Sequence, residues 1–264
     1  AGRLMVVGAH PDDCESSAGG LSALAAGAGW RVHFCTVTNG NAGHHEMDSE
    51  SLKARRRKEA IKAASRIGAT VEHLNEPDGR LFVNERTTRK VVGAIRRFSP
   101  DILVCPRNTD YHRDHRYTGQ LVLDASFVLQ VPLVYPESRA VDRAPLILYA
   151  WDRFTEGGRF RGDLFFDVGP VVETKVRMLL DHESQFQEWL PWVGGNKKAG
   201  RKSPVKNEAE SSMWIRARGR EQARAHQAQL RKKYQRKVEA AEVFQLSEYG
   251  RRMSSVELKE LFPF

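Results

Sequence analysis

Two polar segments of this chain carry the residue types that metal-assisted hydrolysis needs: Ala9-His10-Pro11-Asp12-Asp13, and, far downstream, Asp110-Tyr111-His112-Arg113-Asp114-His115. Catalytic zinc is held by three protein ligands, with a fourth position for water. His10, Asp13 and His115 offer two neutral ring nitrogens and one carboxylate oxygen, leaving a bound divalent ion with a net charge of about +1. That charge brings the pKa of a bound water toward neutrality. Asp12 and Asp13 are adjacent, so their side chains diverge, and Asp12 suits a base that takes the water's proton. His112 lies within a helical turn of His115 and suits a donor to the oxyanion formed when water attacks a carbonyl.

Either segment alone is weak. His-Pro-Asp also makes a turn whose Asp caps the next helix, and His-x-x-His occurs on many surfaces. The pair is stronger because each segment follows an apolar run that reads as a core strand. Cys14 reads as a small buried thiol beside the site. His44-His45 lies in a polar loop and reads as solvated.

The elements that would position these residues alternate. Leu4 to Gly8, Val32 to Val37, Val71 to Leu74 and Ile102 to Cys105 read as strands. Leu21, Leu24, Ala25 and Ala28 recur at helical spacing. Asp48 or Ser49 starts a second helix that Gly68 stops, and Val91, Val92, Ile95 and Phe98 stripe a third. Continuous apolar strands between amphipathic helices predict an α/β fold: a doubly wound, mostly parallel, Rossmann-like sheet with helices on both faces. Ligands of such sheets bind beyond the carboxyl ends of the strands. The two polar segments therefore meet if the first and fourth strands are neighbours.

Beyond Pro132 the pattern loosens. Leu146 to Trp151 and Leu164 to Val168 read as strands. Val172, Val176, Leu179 and Leu180 stripe a helix that is expected to continue through His182-Glu183-Ser184-Gln185. Residues 191–206 read as a basic loop insertion, 207–240 as an extended charged helical appendage, Ala241 to Leu246 as a last strand, and the rest as a polar, poorly constrained tail. With no internal repeat, residues 1–264 are expected to form a single domain.

The chain carries a formal net charge of +9 over 264 residues, concentrated in 196–203 and 216–237. The excess reads as a solvated loop and helix face, with attraction for an anionic substrate as the alternative. No basic run interleaves with aromatics, so no nucleic-acid partner is expected. No apolar run reaches the length of a membrane span. Ala1-Gly2-Arg3 does not read as a signal peptide, though a leader or tag removed ahead of Ala1 fits a chain that does not open on Met. Three cysteines, odd in number and far apart, point to a reducing, cytoplasmic compartment rather than a disulfide framework.

The segment Val6-Val7-Gly8-Ala9-His10-Pro11-Asp12-Asp13, taken with His112-Arg113-Asp114-His115, resembles the LmbE-like, or PIG-L, family of zinc-dependent N-acetylglucosaminyl deacetylases. Thr38-Asn39-Gly40, Arg56 with Glu59, Asp78-Gly79 and His182-Glu183-Ser184-Gln185 agree with it, over roughly residues 4 to 190. The resemblance implies zinc, or another divalent ion, on His10, Asp13 and His115. It implies Asp12 as general base and His112 as the residue that steadies the oxyanion and protonates the departing amine. Arg56 and Asp78 match positions that hold sugar hydroxyls, and His182 and Gln185 either face the pocket or tie their helix to the sheet. The implied substrate is a small N-acetyl amino sugar or glycoconjugate. A homo-oligomer is left open.

Four rivals compete with this reading: a non-catalytic metal- or carbohydrate-binding protein of the same fold, an amidase acting on a different sugar-linked amide, a non-haem iron oxygenase and a nucleotide-binding protein. An intact Asp12 argues against the first. The iron facial triad shares two histidines and a carboxylate, but the alternating elements do not suit its usual β-helix scaffold. The turn after strand one lacks G-x-G-x-x-G, which leaves nucleotide binding without a motif.

Overall fold

The computed structural model describes residues 2–194 and 208–262. These form a seven-stranded sheet in the order β3-β2-β1-β4-β5-β7-β6. β1 (Arg3–Gly8), β2 (Arg31–Thr38), β3 (Thr70–Glu76), β4 (Ile102–Cys105) and β5 (Leu146–Ala150) run parallel. β6 (Leu164–Asp167) and β7 (Ala241–Gly250) close one edge antiparallel. β1 pairs with β4, Leu4 opposite Ile102 and Val6 opposite Val104. From β1 the chain winds outward to β2 and β3; from β4 it winds the other way. The switch point lies between the two strands whose ends carry the polar segments, which meets the condition for the two segments to converge.

Alternation along the strands divides the core. Met5, Val7, Leu103, Cys105 and Ile147 pack on one face against α3 (Glu85–Phe98) and α4 (Arg113–Val128). Leu4, Val6, Phe34, Val104 and Leu148 pack on the other against α1 (Asp13–Gly27) and Ala64 of α2 (Ser49–Ser65). Gly8 is needed where α1 starts on the end of β1: a Cβ there would sit 2.6 Å from that of Asp13. Cys14, Cys35 and Cys105 are buried and free. Among the described residues no helix is long and apolar enough to cross a membrane.

The second half corrects several expectations. α5 (Val172–Leu180) stops before His182. Asp181 turns to Arg66 and Lys62, and Glu59 takes both the backbone N–H and the hydroxyl of Ser184, so the chain restarts as a π-helical segment, Ser184–Trp189. α6 (Leu190–Gly194) occupies the start of the expected basic loop, and 196–203 lies outside the described residues. The charged appendage is two helices, α7 (Glu208–Ala225) and α8 (Gln227–Tyr234), broken at His226. β7 runs to Gly250, four residues further than expected, because it pairs with both β5 and β6. The tail is not shapeless: Ser254 and Glu257 form a capping box for α9 (Ser255–Leu261).

Candidate metal centre and active site

His10, Asp12 and Asp13 occupy the turn from β1 into α1. The Asp13 carboxylate accepts the backbone N–H groups of Ala9, at 2.9 Å, and His10, at 2.8 Å. These bonds fold the turn back on itself and force Asp12 to φ 130°, a left-handed backbone conformation that costs a non-glycine residue about 1–3 kcal/mol. Such strain persists only where the surroundings over-determine it. Here the Arg56 guanidinium holds the Pro11 carbonyl at 2.7 Å as well. On the other side of the switch point, His112 is the N-cap of α4 and His115 lies in its first turn.

Three atoms converge. His10 Nδ1 and Asp13 Oδ2 are 3.4 Å apart, His115 Nε2 and Asp13 Oδ2 are 3.4 Å apart, and the two ring nitrogens are 3.3 Å apart. A tetrahedral zinc site with bonds of about 2.0–2.2 Å places neighbouring donor atoms about 3.3–3.5 Å from one another. The donor set fits zinc in chemistry and in spacing.

The outward nitrogens of both histidines are committed. His10 Nε2 lies 3.1 Å from Asp78 Oδ1 and 3.3 Å from Asp114 Oδ2, and His115 Nδ1 lies 3.1 Å from Asp110 Oδ2. A carboxylate behind each imidazole fixes the tautomer and turns the other nitrogen inward, the usual support for a metal-binding histidine. His10, Asp78 and Asp114 also form a compact donor cluster, as do the three histidines. However, Asp114 and Asp78 lie at His10 Nε2, whereas Asp13 and His115 meet at His10 Nδ1; Asp114 also accepts the N–H groups of Gly79 and Leu81.

Electrostatics agree with a cation site. Burial alone would raise the Asp13 carboxyl, but His115, His10 and the backbone N–H groups hold it far below the usual carboxylate range. Burial likewise opposes ionisation of Asp78, and His10 and Arg56 bring it down to about 2. Asp12 goes the other way. Burial, with a further push from the charge on Asp13, lifts it to about 6, against the pull of Arg56. His112 Nδ1 accepts the N–H of Asp114 at 3.2 Å, so the neutral ring carries its proton on Nε2. Burial, then His10 and His115, lower the pKa of that ring.

Arg56 and Asp78 are in the same cluster, but on its inner side. Arg56 is 2% exposed. Its Nη2 is 3.3 Å from Asp12 Oδ1 and its Nη1 is 3.7 Å from Asp78 Oδ2. Gly40, at φ +69°, makes room for it, since a Cβ there would come within 2.6 Å of Nη1. The resemblance implies sugar contacts for both residues; here each is engaged with a site residue. His182 is fully buried, with Nε2 3.2 Å from Glu15 Oε1, and Gln185 donates to the Gly43 carbonyl. His182 thus meets α1, and Gln185 the loop that follows β2. His44-His45 is not solvated: His44 meets Glu188 at 3.0 Å, and His45 stacks on Trp192.

Sequence reasoning assigned no role to Asp110 or Asp114, although both lie within the second motif. Nothing in their spacing says which histidine nitrogen they face. Tyr111, 79% exposed, stands at the mouth, its ring 6.0 Å from His112 and 6.4 Å from His115. A groove along β3 is lined by Glu72, Arg89, Lys90 and Arg97. Arg89, Lys90 and Arg97 pair with carboxylates and Arg96 with backbone carbonyls, so it offers no comparable chemistry.

Residues 5–126 match the family model described as PIG-L: GlcNAc-PI de-N-acetylase. The chain is 27% identical over 198 residues to a diacetylchitobiose deacetylase of Thermococcus kodakarensis, covering 72% of this chain and 73% of the relative. It is 28% identical over 194 residues to a 4-oxalmesaconate hydratase of Pseudomonas putida, covering 70% and 74%. The fold is shared with the crystal structure of GalB, the 4-carboxy-2-hydroxymuconate hydratase of Pseudomonas putida KT2440. That match has a TM-score of 0.75 at 22% identity and covers 97% of this chain and 99% of that one.

Proposed function

From the premise that residues 5–126 place the chain in the PIG-L (LmbE-like) family, we propose that it is a zinc-dependent hydrolase. Its reaction would remove acetyl from an N-acetylated amino sugar or its conjugate, releasing acetate and a free amine. The observation that carries this reading is the triangle of His10 Nδ1, Asp13 Oδ2 and His115 Nε2, with sides of 3.3–3.4 Å, beside a half-buried Asp12. The deacetylase relative supports it.

His10, Asp13 and His115 would hold the ion, which when bound supplies a Lewis acid for the acyl carbonyl and acidifies water. The remaining steps belong to the protein. Asp12 Oδ1 faces Arg56, leaving Oδ2 to take the proton of the attacking water. A carboxyl near pH 6 is matched to that task at neutral pH. His112 Nε2–H donates to the oxygen on which negative charge develops, and Asp12 returns the proton it took from water to the departing amine. Arg56 and Asp78 act through their neighbours, Arg56 by holding Asp12 and Asp78 by orienting His10. A hydrolysis screen over N-acetyl sugars and glycoconjugates, with zinc supplied and then chelated, tests the proposal. Chelator-sensitive acetate release supports it; no release from any of them contradicts it.

The Pseudomonas relative favours a second reading, addition of water to a carbon–carbon double bond by the same base. Loss of the conjugated absorption of an unsaturated oxo-acid would distinguish it.

A further inference from the structure

Tyr111 borders the candidate centre and has no part in the chemistry assigned to it. It is exposed, and its ring stands nearly edge-on to those of His112 and His115, at 82° and 68°. The ring of Phe154, half-buried, lies 6.2 Å from that of Tyr111. Scattered exposed apolar side chains are ordinary and need no explanation. This pair differs in how firmly its backbone is held.

Tyr111 belongs to the loop between β4 and α4, and Phe154 to the loop that follows β5. The buried Arg107 directs its guanidinium at the second loop. Its Nε meets Asp152 at 2.6 Å, and its two terminal nitrogens donate to the carbonyls of Gly158, at 2.7 Å, and Phe154, at 2.9 Å. Asp152 in turn accepts the N–H of Phe154 at 2.9 Å. Phe154 is therefore fixed at both its N–H and its carbonyl. In the first loop, Arg116 donates to the carbonyls of Asp110, at 2.6 Å, and Tyr111, at 3.1 Å. The two loops meet where Gly157, at φ +70°, crosses Thr109: a Cβ there would stand 3.0 Å from the threonine hydroxyl. Loops anchored in this way hold their side chains in one place and leave a ligand little ordering cost.

A sugar whose acetamide reaches the centre must lay its ring just outside the ligands, where Tyr111 stands. One face of a pyranose is lined with C–H groups and packs on aromatic surface as apolar material does. Resting on the hydrolase reading above, we propose that Tyr111 and Phe154 form an aromatic wall of the substrate cleft, and that this wall selects acetamides carried on a sugar ring over acyclic ones.

Binding to the zinc-loaded Asp12→Asn protein provides the test, with N-acetylglucosamine and N-acetylethanolamine as probes. Both carry the same acetamide, and only the first carries the ring. The sugar is expected to bind about tenfold more tightly. Tyr111→Ala and Phe154→Ala should each lower that ratio, whereas Tyr111→Phe and Tyr111→Trp, which keep an aromatic face, should retain it. Zinc affinity, measured by chelator competition on the same proteins, should not change. Equal binding of the two probes, a ratio that survives both alanine variants, a ratio lost in Tyr111→Phe, or one lost only together with zinc overturns the inference. Acetate release by the wild-type protein judges the reaction separately. Turnover without preference for the ring defeats only the aromatic wall. Preference for the ring without turnover of any N-acetyl compound upholds the wall and defeats the deacetylase reading.

Discussion

The Asp110 carboxylate bridges the ends of the second motif: one oxygen accepts the backbone N–H of His112 at 2.7 Å and the other meets His115 Nδ1 at 3.1 Å. A single side chain thus sets both the start of α4 and the orientation of a proposed metal ligand. Asp110→Asn keeps the shape and loses the charge. Zinc affinity is expected to fall about 10–100-fold, measured by competition with a chromogenic chelator. Unchanged affinity would remove Asp110 from the site's support.

Asp12→Asn should leave zinc bound and lower kcat about 10²–10⁴-fold, because the substitution removes only the proton acceptor. Metal content and turnover measured on the same sample check both halves. Near-native rates would show that the proton goes elsewhere.

His115→Ala removes one corner of the triangle. Both zinc and turnover are expected to be lost, and excess metal should not restore the rate. A variant that holds zinc stoichiometrically would place the ion on other residues, His10 with Asp78 and Asp114 being the alternative cluster.

Arg56→Met would leave Asp12 and Asp78 beside one another with no buried cation between them. Breaking a buried pair by removing one partner costs about 3–5 kcal/mol, so unfolding in urea should shift by that order. A shift under about 1 kcal/mol, typical of an exposed pair, would contradict the structural role assigned to Arg56.

His73 makes acid stability measurable away from the site. Its Nδ1 is 2.6 Å from Thr36 Oγ1 and its Nε2 is buried without a partner. Burial, then the charge on Arg57, lowers its pKa to about 4. The unfolded chain takes up this proton near pH 6.5 and the folded chain only near pH 4. Between those values the unfolded state binds more protons, so stability is lost as pH falls through the window. The loss attributable to His73 is about 2 kcal/mol after allowance for its partial exposure. Urea titrations at pH 7 and pH 4.5 should show a smaller drop for His73→Gln than for the wild type; equal drops would contradict the assignment.

The sheet's first half was legible because β1, β2 and β4 are largely apolar runs buried almost throughout; β3, at the edge, is mostly half-buried. Ile102 to Cys105 reads as a strand from composition alone and is one. The neighbouring of β1 and β4, on which the site depends, was a condition that α/β topologies allow, and the structure meets it. The second half was less legible because its breaks arise from long-range partners. α5 ends at Leu180, Glu59 holds Ser184 at the start of the next segment, and β5 and β6 extend β7. His10, Asp13 and His115 were readable from residue type and spacing. The carboxylates behind them were not, since which nitrogen faces Asp78, Asp110 or Asp114 depends on ring orientation. Arg56 was singled out only through the resemblance, as a residue that holds a sugar hydroxyl; its place between Asp12 and Asp78 is seen only in the fold.

Anomalous diffraction at the zinc edge, from crystals of the zinc-loaded protein, tests the centre directly. One peak is expected within about 2.0–2.2 Å of His10 Nδ1, Asp13 Oδ2 and His115 Nε2. A zinc-saturated protein with no peak between those three atoms would contradict the metal centre and the hydrolysis built on it.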